Sequence, residues 1–163
     1  MRMTRRLCTI AASALLLSAA SAAAQAPTPY GPAITLDQAK KVMAGAEAEA
    51  KKNNWPMAIV ILDSGGNMVM MQRLDNTQFG STDIAKEKAR SAVALRRPTK
   101  VFQDLIAQGG ANLRLLSTGF SMLEGGIPII VDGKIIGSVG VSGATSQQDA
   151  QTGQAGIDAL TKP

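Results

Sequence analysis

Residues 125–143 read GGIPIIVDGKIIGSVGVSG, and this stretch decides the fold. Ile127 to Val131 is apolar, β-branched and too short for an ordinary helix, which makes it a strand. Asp132-Gly133 is the residue pair that accepts positive φ at both central positions of a type I′ turn, so Lys134 to Ser142 returns antiparallel to that strand. Residues 127–131, like the run 59–62 upstream, lack the polar face of a half-solvated antiparallel sheet. Helices must therefore cover both sides.

The same logic extends upstream. Pro56 to Leu62 is a second apolar run, Ser64-Gly65-Gly66-Asn67 supplies turn residues, and Met68 to Leu74 completes another hairpin. Thr35-x-x-Gln38 is a capping box, and Leu36, Ala39, Met43, Ala46 and Ala50 recur at helical spacing, which predicts a helix over 36–53. Ser81 or Thr82 opens a second helix that Pro98 stops beyond Leu95, and Thr99 caps a third that ends at Gly109-Gly110. Residues 115–123 read as a further strand. Thr145-x-x-Gln148 or Ser146-x-x-Asp149 caps a last helix reaching about Leu160. The expected fold class is α/β, a three-layer α/β/α sandwich around a five-stranded antiparallel sheet.

The N-terminal residues stand outside that pattern. Arg2, Arg5 and Arg6 precede an apolar run from Leu7 to Ala20, and Ala22-Ala23-Ala24 is a small-residue cleavage site. These are the parts of a secretory signal peptide, so residues 1–24 are expected to be removed and the protein to be periplasmic or secreted, with no further membrane attachment. Residues 25–34 form a proline-rich extended leader, and 35–163 a single domain. Cleavage removes three arginines and leaves a net charge of about +2, too small to argue for nucleic acid.

Absent residue types narrow the chemistry. The chain has no histidine, and its one cysteine, Cys8, lies in the signal segment. Zinc sites of the usual kinds, Ser-His and Cys-His nucleophiles and histidine-ligated haem are thereby excluded. Gly137, Gly140 and Gly143 are spaced G-x-x-G-x-x-G, which is not a dinucleotide loop, and no Walker sequence occurs, so no nucleotide cofactor is expected.

Several motifs, taken in order, resemble one family. Gly125-Gly126-Ile127-Pro128, the Asp132-Gly133 turn and the run Ile136 to Gly143 look like the C-terminal signature of the GlcG/HbpS-like haem-binding family, with Asp149 where that family's next helix carries an acid. Lys88-Ala89-Arg90-Ser91-Ala92 is similar to its Lys-Ala-Arg-Thr-Ala helix, and Leu62 to Gly66 to its first hairpin. The resemblance spans about residues 35–160. It implies a profilin-like fold with sheet order 2-1-5-4-3, homo-oligomers (dimers or larger rings), and frequently bound haem. Related domains occur beside corrinoid adenosyltransferases and in glycolate-utilisation operons.

Candidate site residues follow from both readings. Lys88 shares a helical stripe with Ile84, Ser91 and Leu95, which puts an ammonium on a packed face where it needs either a carboxylate, such as Glu124 or Asp149, or an anionic ligand such as a haem propionate. Arg90 belongs to a basic cluster with Arg96, Arg97 and Lys100 that suits an acidic ligand or merely a solvated face. Gly125, Gly126, Ile127 and Pro128 form the loop that the resemblance places against a ligand, though glycines before a strand also serve as turn residues. Met68, Met70 and Met122 are thioether candidates for an iron or Cu(I), and methionine is equally a core filler. The acids Asp63, Asp75, Glu124 and Asp149 show no spacing that makes a proton-transfer pair. The leading expectation is an exported, oligomeric, non-catalytic binding protein for haem or a related tetrapyrrole. The alternatives are an enzyme or accessory acting on a small organic acid through Lys88, Arg90 and Asp149, and a partner-binding module.

Overall fold

A computed structural model describes residues 26–162, so the signal segment expected over 1–24 lies outside the described residues. At its centre lies the strand over 58–63, one of the two that the sequence marks as lacking a polar face; the other, over 127–131, lies at an edge of the sheet. Strand β1 (Ala58–Asp63) is flanked by β2 (Met68–Arg73) and by β4 (Lys134–Ser142), and β4 pairs on its other side with β3 (Gly126–Val131), all antiparallel, in the order β2-β1-β4-β3. Both central positions of the β3–β4 turn have positive φ, Asp132 at 50° and Gly133 at 72°, as a type I′ turn requires.

Alternate residues of β1 sort the two faces. Ile59 and Ile61 join Val139 and Val141 of β4 beneath helices α1 (Leu36–Lys52) and α4 (Ser146–Thr161), while Ala58, Val60 and Leu62 meet Ala85, Ala89 and Val93 of α2 (Ser81–Leu95). The three-layer arrangement follows from that division. Each of α1 and α4 starts with a complete capping box, Thr35 with Gln38 and Thr145 with Gln148. Helix α2 begins at Ser81 behind Gly80 with no side-chain cap, and α3 (Thr99–Ala107) starts at Thr99, whose hydroxyl is used elsewhere.

Helix α2 lies unusually close to the sheet. A Cβ on Gly140 would stand 2.0 Å from the Ala85 carbonyl oxygen, and one on Gly126 2.2 Å from that of Lys88. These two glycines face each other across β3 and β4. The helix therefore rests main chain on main chain over a rung without side chains, and small residues at 85, 89 and 92 complete the fit.

One expectation is corrected. Residues 115–123 are not a strand: Gly110–Ser117 winds into a 3-10 helix and a loop runs on to β3, so the sheet has four strands, in the expected order without its third member. The stretch is apolar but lacks alternation, and Leu113 and Leu116 project to solvent where a strand would bury one face. The residues before α1 are stitched to the domain. Gly31 N–H donates to the Ile135 carbonyl at 2.8 Å, Ile135 N–H to that of Pro29 at 2.9 Å and Ile34 N–H to that of Ile136 at 2.8 Å. This segment occupies the place beside β4 that β1 leaves beyond Asp63.

The β1–β2 turn is organised by Asp63, whose Oδ1 accepts from the backbone N–H of Gly65 at 2.8 Å and of Asn67 at 2.9 Å. Partial burial works to raise this carboxyl, but the hydrogen bonds from Asn67 and Gly65 outweigh it and hold it below the usual range. A depressed acid contributes stability above its unfolded pKa that is lost as pH falls through the folded value. Asp63→Asn is expected to cost about 1–2 kcal/mol at neutral pH. Urea unfolding should show that difference shrinking once the pH drops below the ordinary carboxylate range.

Candidate functional site

Lys88 projects from the sheet-facing stripe of α2 and is 2% exposed, too deep for an unpaired ammonium. It donates to Asp149 Oδ2 at 2.7 Å and to the Val141 carbonyl at 3.0 Å. Asp149, in the first turn of α4 and as deeply buried, also accepts from the Ala144 N–H at 3.2 Å. Burial pushes the Asp149 carboxyl above the usual carboxylate range, against the opposing hydrogen bond and charge of Lys88. Because α2 and α4 cover opposite faces, the pair joins the two helical layers past the end of β3.

Gly125 makes that crossing possible. At φ +124° it adopts a conformation closed to most side chains, and a Cβ there would lie 2.9 Å from Lys88 Nζ and 2.8 Å from the Val141 oxygen. Its carbonyl accepts from Val141 N–H at 2.9 Å. Next to it, Gly126 N–H donates to Thr99 Oγ1 at 2.9 Å, which fixes α3 to the start of β3. The loop is thus held from three sides.

On the outer side of this loop lies a cavity of about 360 Å³. Pro98, Ile127 and Ala150 give it apolar walls over Gly125 and Gly126, while Lys100 and Glu124 stand with glutamine amides around it. Lys100 Nζ is held by Asp104 at 2.9 Å, and the backbone N–H of Glu124 donates to Gln103 Oε1 at 2.9 Å. Gln147, Gln151 and Gln154 were not singled out from the sequence, although their i, i+4, i+7 spacing puts them on one face of α4.

The structure brings together Lys88, Asp149, Gly125, Gly126 and Ile127. Pro128 follows on β3, an edge strand, where its missing N–H costs least. Arg90 lies elsewhere: it donates to Glu87 Oε2 at 2.8 Å and to the Gly119 carbonyl at 2.7 Å, and its guanidinium stacks 4.7 Å from the Phe120 ring centre. It braces the loop before β3 and does not meet Lys88. With its ammonium committed to Asp149 and Val141, Lys88 is a structural tie here rather than an open receptor for an organic acid.

The methionines do not gather. Met68 and Met70 belong to edge strand β2, Met68 exposed and Met70 packed toward the α1/α4 core, whereas Met122 is buried in the loop leading to β3 at the opposite sheet edge. Three strand spacings of about 4.8 Å separate those edges. Asp63 and Asp149 sit at opposite ends of the sheet, since Asp63 pairs with Gly137 and the β4 end near Asp149 pairs with Ala58. Among the described residues no group of three or more acids, histidines or cysteines is placed to hold a metal ion, and no helix is long and apolar enough to cross a membrane.

Comparison with known proteins agrees with this architecture. The chain is 38% identical over 109 residues to protein GlcG of Escherichia coli K12, covering 67% of this chain and 81% of GlcG. The crystal structure of Klebsiella pneumoniae protein ORFY superposes with a TM-score of 0.77 at 30% identity, covering 86% of this chain and 99% of that one. A crystal structure of a PduOC:heme complex gives a TM-score of 0.72 at 26% identity, covering 79% and 96%. A sequence model described as haem degrading protein HbpS-like matches residues 34–158, and with these likenesses it shows that the chain belongs to the HbpS-like family.

Proposed function

We propose that this protein is an exported, oligomeric binding protein for haem or a related tetrapyrrole, and that the cavity outside the Gly125-Gly126 loop receives the macrocycle. The observation that carries this reading is the cavity's make-up: apolar walls from Pro98, Ile127 and Ala150 beside an ammonium, over the backbone of Gly125 and Gly126. Membership of the HbpS-like family and likeness to a haem complex support it. Export rests on the arginine, apolar and small-residue order of residues 1–24. Assembly is supported by large apolar side chains left in solvent, Phe79, Leu116 and Leu123 among them.

The donor set fits the macrocycle better than the iron. Ile127, Pro98 and Ala150 would suit its faces and Lys100, shared with Asp104, a propionate, whereas any protein group holding the iron would have to be an oxygen or an amine, because the chain has no histidine and the cavity presents no thiolate or thioether. When bound, haem supplies a redox-active iron. This chain's residues supply shape and charge.

Two titrations test the reading. Haemin and metal-free protoporphyrin IX are both expected to bind saturably, one per cavity, with affinities within about threefold of each other, because the walls and not the metal supply the binding free energy. Ala150→Trp, which fills the cavity from α4, is expected to weaken both about tenfold or more. Unsaturable binding indistinguishable from that of serum albumin, or binding indifferent to Ala150→Trp, overturns it.

A further inference from the structure

A second and larger concavity, about 590 Å³, opens where the end of α1, the start of β1 and the end of β2 converge. It lies at the β2 edge of the sheet, shares no lining residue with the cavity beside Gly125, and falls within the roughly 300–1,000 Å³ usual for small-molecule sites. Its wall includes Trp55, the chain's only tryptophan. The position of Trp55 is fixed by a Schellman turn: Trp55 N–H donates to the Ala50 carbonyl at 2.9 Å and Asn54 N–H to that of Lys51 at 3.1 Å, with Asn54 at φ 56°.

The charges around this concavity balance, and one pair of them is closed. Lys51 Nζ pairs with Glu47 Oε1 at 2.5 Å, and this bond, with a second from Gln72, holds the Glu47 carboxyl below its usual range. The Arg73 guanidinium lies 5.0 Å from the Phe79 ring centre. Two cations, Lys51 and Arg73, stand with two carboxylates, Glu47 and Asp75, so the lining carries no net charge to favour an ion of either sign. The groups left to meet a ligand are a half-buried indole, the amides of Asn54 and Asn76, and the Asp75 carboxylate, which makes no ion pair among the described residues.

We infer that this concavity is a binding site for a neutral polyhydroxylated ligand, a saccharide of one or two rings. An indole packs against the C–H face of a sugar ring, and amides with a carboxylate offer the mixed donors and acceptors that neighbouring hydroxyls need. A carboxylate ligand would find its attraction to Arg73 offset by Glu47 and Asp75, and an apolar one would strand the amides.

Trp55 reports its own site. Its emission is to be followed in the purified protein during titration with glucose, maltose and cellobiose to tens of millimolar, with glycolate and acetate as charged counterparts. At least one sugar is expected to give a saturable change that the carboxylates do not. Asn76→Gly, which keeps the positive φ of 62° accessible and removes only the amide, is expected to weaken that sugar at least about fivefold without moving Tm. Prior loading with haemin is expected to leave the sugar affinity unchanged, measured by calorimetry to avoid quenching. No saturable change with any of the three sugars, a response to carboxylates alone, or an Asn76→Gly protein that titrates like the parent overturns the inference.

Discussion

Lys88→Met is expected to lower the unfolding free energy by about 3–5 kcal/mol at neutral pH, because it leaves the Asp149 carboxylate buried without its cation. That is a large share of the roughly 5–15 kcal/mol that holds a domain together. The penalty comes from stranding a charge rather than from losing an attraction, and pH separates the two. Without the ammonium only backbone hydrogen bonds from Ala144 and Gly143 oppose burial, so Asp149 takes up a proton more readily in the folded than in the unfolded chain. An acid whose folded pKa exceeds its unfolded one loses stability as pH rises through the window between them, so acidification from pH 8 toward 5 should recover part of what Lys88→Met removes. Lys88→Met combined with Asp149→Leu should return to within about 1 kcal/mol of the parent, since an apolar pair of similar volume commonly replaces a buried ion pair without loss. Urea unfolding of both variants at the two pH values is the measurement. A single mutant as stable as the parent would show that water reaches the pair.

Gly140→Ala is expected to cost about 3 kcal/mol or to abolish folding, because the added methyl would meet the Ala85 carbonyl at 2.0 Å and the Ala89 nitrogen at 2.5 Å. Both are main-chain atoms of α2, and neither can swing aside as a side chain does. Gly80→Ala is the matched control. Gly80 precedes α2 at φ −64°, nothing stands within 4 Å of its added methyl, and alanine there should be neutral or stabilising by about 0.5 kcal/mol. Thermal unfolding of the two variants side by side compares tight helix-to-sheet contact with glycine's backbone entropy alone.

How much of this was legible in the sequence depended on how local each signal was. Asp132-Gly133 and the two capping boxes are complete within two to four residues, and the hairpin and both helix starts appear as expected. The apolar segment around Leu115-Leu116 carried no period, and hydrophobicity alone misassigned it as a strand where a 3-10 helix forms. Lys88 announced that it needed a partner, because an ammonium on a packed stripe always does. The choice of Asp149 over Glu124 depended on α4 arriving at the far side of β3, a relation sixty residues long that no window contains. The concavity beside Trp55 was invisible for the same reason: its lining comes from three elements, and no one of them has a ligand-binding pattern.

The stitched leader gives the molecule a mechanical polarity. A pull on the N-terminus loads the hydrogen bonds of Pro29 and Gly31 to Ile135, and of Ile34 to Ile136, together and along the strand, because the leader runs parallel to β4, and it reaches the central sheet before α1 can unwind. Tyr30 adds a hydrogen bond at 2.8 Å to the Val93 carbonyl near the end of α2, spreading that load into a second layer. A pull on the C-terminus meets only α4, which can peel away from its end one turn at a time. A motor that unthreads proteins should therefore find one grip stiff and the other yielding, and the direction of unravelling would be written in which end it seizes.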